Sequence, residues 1–328
     1  MIELKNILFR CDSSSSIGLG HTKRCLVLAQ RLKEQSQNIK ITFATLELQG
    51  NINQEILDNG FELQVLQDGQ IDTLHPVIKS LKIELLIIDS YEIDFFYEKE
   101  IRVQNPNLKI LSFDDMLRPH SSQMVLNHGI QAKKSQYNKL LSKKTQLFCG
   151  SRYTLLRDEF FEKYNSEIVK ESIAIILGGN DVLNLSSKIA DLLLEINKKY
   201  KITIITTSVN PNITELQKRK DIELLVDIEN IASIIASKSF VITASGGTLF
   251  EVLALKKKFI NIEVAPNQKD ITKFLEEKSI KTTIKAEELS IRKLEKKIDY
   301  IKKKYLYKKL DFKFSKDKLV KKILKELT

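Results

Sequence analysis

Arg10-Cys11-Asp12-Ser13-Ser14-Ser15-Ser16-Ile17-Gly18-Leu19-Gly20-His21 is the stretch of this chain with the most potential chemistry. The apolar run Asn6-Ile7-Leu8-Phe9 before it reads as a β-strand. Cys25, Leu28, Ala29 and Leu32 after it fall at helical spacing, so a helix is expected over Thr22–Lys33. A strand, a Ser/Gly loop and a helix start bring backbone N–H groups and the positive end of a helix dipole to one place. His21 stands there, and histidine is the side chain most often used as a base near neutral pH. Taken alone, the same residues equally describe a glycine turn with a histidine capping a helix.

Three further loops carry residues of interest. In Ile88-Asp89-Ser90-Tyr91, Asp89 can cap the next helix and Tyr91 can bind a sugar. In Leu177-Gly178-Gly179-Asn180-Asp181, the paired glycines let the backbone approach a ligand, or simply make a turn. Thr243-Ala244-Ser245-Gly246-Gly247-Thr248-Leu249-Phe250-Glu251 reads as strand, Gly-Gly turn and helix start. There Thr248 can cap, and the helix N-terminus at Ser245–Thr248 can hold a phosphate pair. Glu251, one turn inside, suits the two hydroxyls of a ribose, or is an ordinary carboxylate at a helix N-terminus. Ala265-Pro266-Asn267-Gln268 then places two amides beside the same loops. Together these residues describe a nucleoside-diphosphate site in the second half of the chain and a histidine in the first. A nicotinamide enzyme is disfavoured. Gly18-Leu19-Gly20 lacks the third glycine of the dinucleotide fingerprint, and Ala44-Thr45-Leu46 ends the second strand without an acidic residue.

These loops require a particular set of elements. Strands are expected at Ile7–Arg10, Ile39–Ala44, Phe61–Val65, Leu85–Asp89, Ile110–Phe113 and Met124–Leu126. A second series is expected at Ser172–Leu177, Ile202–Thr206, Glu223–Val226, Phe240–Thr243 and Phe259–Val264. Continuous apolar runs alternating with helices imply buried parallel strands. The expected fold is α/β: two doubly wound Rossmann-like domains, at 1–165 and 166–284, facing across a cleft, with a Lys-rich helical extension at 285–328. The boundary is expected near Phe160–Lys170. In such sheets ligands bind beyond the carboxyl ends of the strands.

Composition narrows the class of protein. The 328 residues, 42% hydrophobic and 29% charged, suit two soluble domains, and no stretch has the length and apolarity of a membrane span. The first strand begins near residue 1, without a signal peptide. Cys11, Cys25 and Cys149 show no paired or metal-ligand spacing, so no disulfide, structural metal or cofactor is expected, and the compartment reads as a reducing cytoplasm. The net charge of +11 is concentrated in the tail, where Ile291–Thr328 carries 15 basic and 5 acidic residues. The tail holds a single arginine, Arg292, and its apolar residues follow helical spacing, which favours a solvated helix face over nucleic-acid binding. Deleting the tail is the expected way to separate an enzyme from a polyanion binder.

The residues in register resemble a known family, the UDP-sugar hydrolases of pseudaminic acid synthesis. Its members have the two-domain fold of GT-B glycosyltransferases and remove UDP from a diacetamido-trideoxy-altrose. The likeness runs from Asn6 to about Ile280. It includes Phe9–Ser15, Ile17–His21, Arg24, Leu86–Tyr91, Ile110–Asp115, Leu126-Asn127, Cys149-Gly150, Tyr153–Arg157, Gly178–Asp181 and Asn267-Gln268. The resemblance implies that His21 is the catalytic base and that Gly20, Tyr91 and Asn267 line the sugar site. It implies that Gly178, Gly179, Ser245, Gly246, Gly247, Thr248 and Gln268 serve UDP, with Glu251 on the ribose and the backbone near Ile228 on uracil. Ser90 stands where some members have histidine, and the Ser-Gly-Gly-Thr loop replaces a shorter Ser-rich version. The implied reaction is water attack at the anomeric carbon with inversion, without a metal, in a monomer. A GT-B transferase with a hydroxyl acceptor is the alternative.

Overall fold

The computed structural model describes residues 4–181, 183–304, 306–310 and 312–327. The chain divides into two compact units, Met1–Leu155 with Lys313–Thr328, and Leu156–Phe312.

Unit 1 alternates strands and helices: β1 (Lys5–Cys11), α1 (Gly20–Gln35), β2 (Ile39–Leu46), α2 (Asn53–Asp58), β3 (Glu62–Leu66), α3 (Ile71–Ser80), β4 (Leu85–Asp89), α4 (Phe95–Gln104), β5 (Lys109–Phe113), β6 (Met124–Asn127) and β7 (Gln146–Cys149). The strands form one sheet in the order β3-β2-β1-β4-β5-β6-β7, every pair parallel. The two-residue period of β1 explains the layering. Ile7, Phe9 and Cys11 face α1, while Leu8 faces Leu74 and Ile78 of α3 and Ile101 of α4.

Unit 2 repeats the scheme with β8 (Ser172–Ile176), α5 (Leu185–Ile196), β9 (Lys201–Thr206), α6 (Ile213–Lys218), β10 (Glu223–Val226), α7 (Ile231–Ser237), β11 (Phe240–Ala244), α8 (Gly247–Ala254), β12 (Phe259–Glu263), α9 (Lys269–Glu277), β13 (Thr283–Lys285) and α10 (Ile291–Lys303). Its parallel sheet runs β10-β9-β8-β11-β12-β13. In both sheets the first strand sits where the order reverses, which is where open α/β sheets bind ligands.

The expected division at residues 165 and 284 differs from the observed one. The break falls after Leu155, because Arg157 and Phe160 pack within unit 2. Residues 285–328 do not form a separate extension. Up to Phe312 they belong to unit 2, and α11 (Lys318–Leu327) joins unit 1, where Leu319, Val320 and Ile323 enter the same core as Ile7 and Phe9. Strands β7 and β13 were not expected. Each is a short edge strand, four and three residues long, with little apolar sequence to announce it.

Candidate active site

The unit 1 candidates meet at the carboxyl ends of β1, β4, β5 and β6. The serine loop after β1 is locked locally. Ser14 Oγ accepts from the amides of Ser16 at 3.2 Å and Ile17 at 2.9 Å, and Gly18 turns at φ +88°, a conformation that suits glycine. Helix α1 opens at Gly20, earlier than the expected Thr22, so His21 lies in its first turn. The imidazole packs edge-on to the ring of Tyr91, with centroids 4.7 Å apart at 84°.

Arg24 lies one turn further along α1. It donates to both oxygens of Asp89, Nε to Oδ2 at 2.5 Å and Nη2 to Oδ1 at 2.6 Å. Its Nη1 reaches Asp115 Oδ2 at 3.1 Å and His128 Nε2 at 3.1 Å. Since a guanidinium has no acceptor, that His128 nitrogen accepts. Burial alone raises the Asp89 pKa, but Arg24 outweighs it and holds the carboxyl at about 2. Burial and the neighbouring Arg24 push His128 down to about 3. Burial also lowers His21 below its ordinary 6.5, with Asp89 opposing and Arg24 adding to the shift. A neutral imidazole at neutral pH is therefore presented beside an ionised Asp89.

A second polar layer fastens the Tyr91 loop. Glu98, fully buried on α4, accepts from Ser112 Oγ at 2.6 Å and from the amides of Ser121 at 2.6 Å and Ser122 at 3.0 Å. It lies 2.7 Å from His120 Nδ1, and the other ring nitrogen is 3.7 Å from Asp114 Oδ1. Burial would lower the His120 pKa, yet the two carboxylates raise it to about 9. Asp114 accepts from Tyr137 Oη at 2.7 Å and from the Met116 amide at 3.0 Å. The turn it caps carries Arg118, whose Nη1 donates to the Tyr91 carbonyl at 2.7 Å and whose guanidinium carbon is 5.7 Å from the Tyr91 ring centroid. Tyr91 thus touches His21 on one side and Arg118 on the other.

The remaining candidates lie in unit 2, again at strand carboxyl ends: Gly178 and Gly179 after β8, Ile228 after β10, Ser245–Gly247 after β11, and Asn267 and Gln268 after β12. Gly178 has φ +90°, and the Gly179 carbonyl accepts from the hydroxyls of Thr206 at 3.2 Å and Thr207 at 2.9 Å. Gln268 accepts from the Val264 amide at 2.8 Å, and a Cβ placed on Gly246 would stand 4.0 Å from its Nε2. Two expectations change. Helix α8 is capped by Gly246, not Thr248, and Thr248 falls inside the first turn. Ser245 is fully buried: its Oγ donates to the Ile262 carbonyl at 3.3 Å and accepts from Asn261 at 2.7 Å, and its amide donates to the same carbonyl at 3.0 Å, so it is not placed to meet a ligand. Glu251 receives a two-pronged ion pair from Arg157, Nε to Oε1 at 2.9 Å and Nη2 to Oε2 at 3.1 Å.

Sequence reasoning passed over His128, Arg118, His120 with Glu98, and the pairing role of Arg157. The first follows Asn127 directly at the end of β6, so its position at a strand end was a usable signal. Arg118 and His120 lie in a loop without periodicity, and their contacts span 22 to 28 residues of sequence. Among the described residues, no cluster of His, Cys, Asp and Glu could hold a metal, and no helix is long and apolar enough to cross a membrane.

The fold is that of the GT-B-like proteins. The glycosyltransferase family 28 C-terminal domain matches residues 172–327. The structure of Acinetobacter baumannii MurG superposes with a TM-score of 0.65 at 11% identity, covering 98% of this chain and 99% of that one. UDP-GlcNAc 2-epimerase from Neisseria meningitidis bound to UDP-GlcNAc gives 0.60 at 13% identity, covering 99% of each chain. At that identity these two share the fold. In sequence, the chain is 38% identical over 285 residues to UDP-2,4-diacetamido-2,4,6-trideoxy-beta-L-altropyranose hydrolase of Campylobacter jejuni, covering 85% of this chain and 99% of that protein. The chain belongs to the family of that hydrolase.

Proposed function

We propose that this protein hydrolyses a UDP-linked diacetamido-trideoxy sugar at its anomeric carbon, releasing UDP and the free sugar with inversion, in the making of pseudaminic acid. The observation that carries the reading is the match at 38% identity to a hydrolase of that substrate over 99% of the hydrolase's length. The geometry supports it. His21 is the base, an imidazole kept neutral by burial and able to take a proton from water. Gly20, Tyr91 and Asn267 hold the sugar. The amides of Gly246, Gly247 and Thr248 at the start of α8, with the Gly178-Gly179 turn, hold the diphosphate. Gln268 supports the Gly246 turn, Glu251 takes the ribose hydroxyls, and the backbone at Ile228 reads uracil. UDP leaves as a stable anion, so the amides and the helix dipole are enough to hold its charge. We take the working form to be a cytoplasmic monomer.

The test is UDP release from candidate UDP-diacetamido sugars with no acceptor added, run in heavy-oxygen water. Label in the free sugar and none in UDP is expected, with the inverted anomer as first product by proton NMR. Label in UDP would place attack at phosphorus. The family 28 match favours one second reading, a glycosyltransferase. It predicts UDP release only when a hydroxyl acceptor is supplied.

A further inference from the structure

The segment 157–160, at the start of unit 2, touches both elements to which the nucleotide has been assigned. Arg157 grips both oxygens of Glu251 on α8, and its Nη1 lies 3.3 Å from Glu159 Oε1. Its guanidinium carbon stands 5.1 Å from the ring centroid of Phe160, a buried residue. The Glu159 carboxylate faces the amides of Ile231 and Ala232, the first two residues of α7. That helix begins three residues beyond Ile228. Tyr164 adds a bond from its hydroxyl to the Glu159 carbonyl at 3.0 Å. One short segment therefore ties the carboxylate on α8 to the start of α7.

A carboxylate has about four lone-pair positions, and a two-pronged arginine uses two of them. The other two remain for a pair of vicinal hydroxyls, but only along directions fixed by the arginine. Glu251 without Arg157 would rotate about its side-chain bonds, and a ribose would have to bear the cost of ordering it.

We infer that Arg157 is the positioning residue of the nucleotide site: it aims Glu251 at the ribose. The inference rests on the assignment of Glu251 to the ribose. Arg157 makes no contact with substrate in this account. Its effect passes through Glu251, so the two residues must be energetically coupled.

Titration calorimetry of UDP with the full-length protein tests this through a double-mutant cycle of Arg157→Ala and Glu251→Ala, with Arg157→Lys as the conservative variant. Arg157→Ala is expected to weaken UDP by about tenfold to a hundredfold, the range of a lost charge-assisted pair. Arg157→Lys should recover part of that loss. In the Glu251→Ala background, Arg157→Ala should change the affinity by less than about twofold. In turnover, KM should rise more than kcat falls. Equal losses from Arg157→Ala in both backgrounds would overturn positioning and leave a merely structural role. Normal UDP affinity in Glu251→Ala would instead overturn the ribose assignment itself. Should Arg157→Ala fail to fold, the cycle is closed with Arg157→Lys, where additive losses count against the inference.

Discussion

His21→Ala is expected to lower turnover by about 10²–10⁴, the usual range for a lost general base, while UDP affinity by calorimetry stays near normal. The sign of the pH dependence follows from burial. The base must be neutral, and its pKa lies below 6.5. Turnover should therefore hold across neutral pH and fall as the pH drops through a value under 6.5, with that acid limb absent from the His21→Ala residual rate. An acid limb centred above 6.5 would contradict an imidazole shifted by burial. The placement of these residues was readable from their types: a histidine after a Gly-Leu-Gly turn, a Tyr at a strand end, a Gly-Gly pair before a helix. The tuning was not. Whether Asp89 caps a helix or pairs with Arg24 depends on where α1 lies over β4, a long-range packing fact with no local signature.

The Arg24–Asp89 pair binds α1 to the end of β4 and fixes the turn from which His21 projects. Asp89 is 2% exposed and takes two of the Arg24 bonds, so removing its charge leaves the buried guanidinium with Asp115 as its one carboxylate among the described pairs. Asp89→Asn is expected to cost about 3–5 kcal/mol in urea unfolding and to lower kcat through misplacement of His21. The pH dependence of stability has two edges. Asp89 is depressed to about 2, so its contribution is present above its unfolded value near 3.8 and is lost as the pH falls toward 2. His120 is raised to about 9, so its contribution is complete below 6.5 and is lost as the pH rises through 9. His128, held at about 3, and His21, held below 6.5, take up protons near 6.5 only in the unfolded chain, so they weaken the fold as the pH falls below 6.5, and urea midpoints from pH 2 to pH 10 should peak near 6.5 and decline on both sides. His120→Ala should flatten the alkaline edge alone. Element types came through from apolar runs and helical spacing, since these record burial directly. Helix starts did not. The backbone of Gly246 caps α8 without a side-chain bond, so the presence of Thr248 misled by two positions.

Removing residues 313–328 is expected to destabilise unit 1 and spare unit 2. Leu319, Val320 and Ile323 are 3%, 0% and 0% exposed in the unit 1 core, and each buried aliphatic side chain contributes about 1.5–3 kcal/mol. The loss is comparable with the whole stability of an ordinary domain, about 5–15 kcal/mol. Limited proteolysis should cut the truncated protein in residues 4–155 and leave 156–312 protected. Equal protection of both units would show that α11 is dispensable. Tail deletion therefore cannot separate an enzyme from a polyanion binder, as its lysine content had suggested, because the same helix that displays Lys321 and Lys322 turns three aliphatic residues into a core. The two-unit α/β plan was legible because each half repeats the same strand and helix rhythm. That α11 joins unit 1 was not, since amphipathic spacing says that a helix has a partner and not which one.

That return of α11 also sets an order of assembly. The residues that complete unit 1 follow the whole of unit 2 in the chain, so a ribosome delivers all of unit 2 before unit 1 can close. Domains emerging from synthesis usually fold first where they are N-terminal. Here the unit carrying His21 must wait, its α1 face uncovered, for a contact across nearly the full length of the polypeptide, while the unit assigned to UDP can fold from a continuous segment. Closure of so long a loop adds entropy only logarithmically with length, so the delay is one of time more than of stability. The unit proposed to hold UDP is then ready before the unit that carries His21.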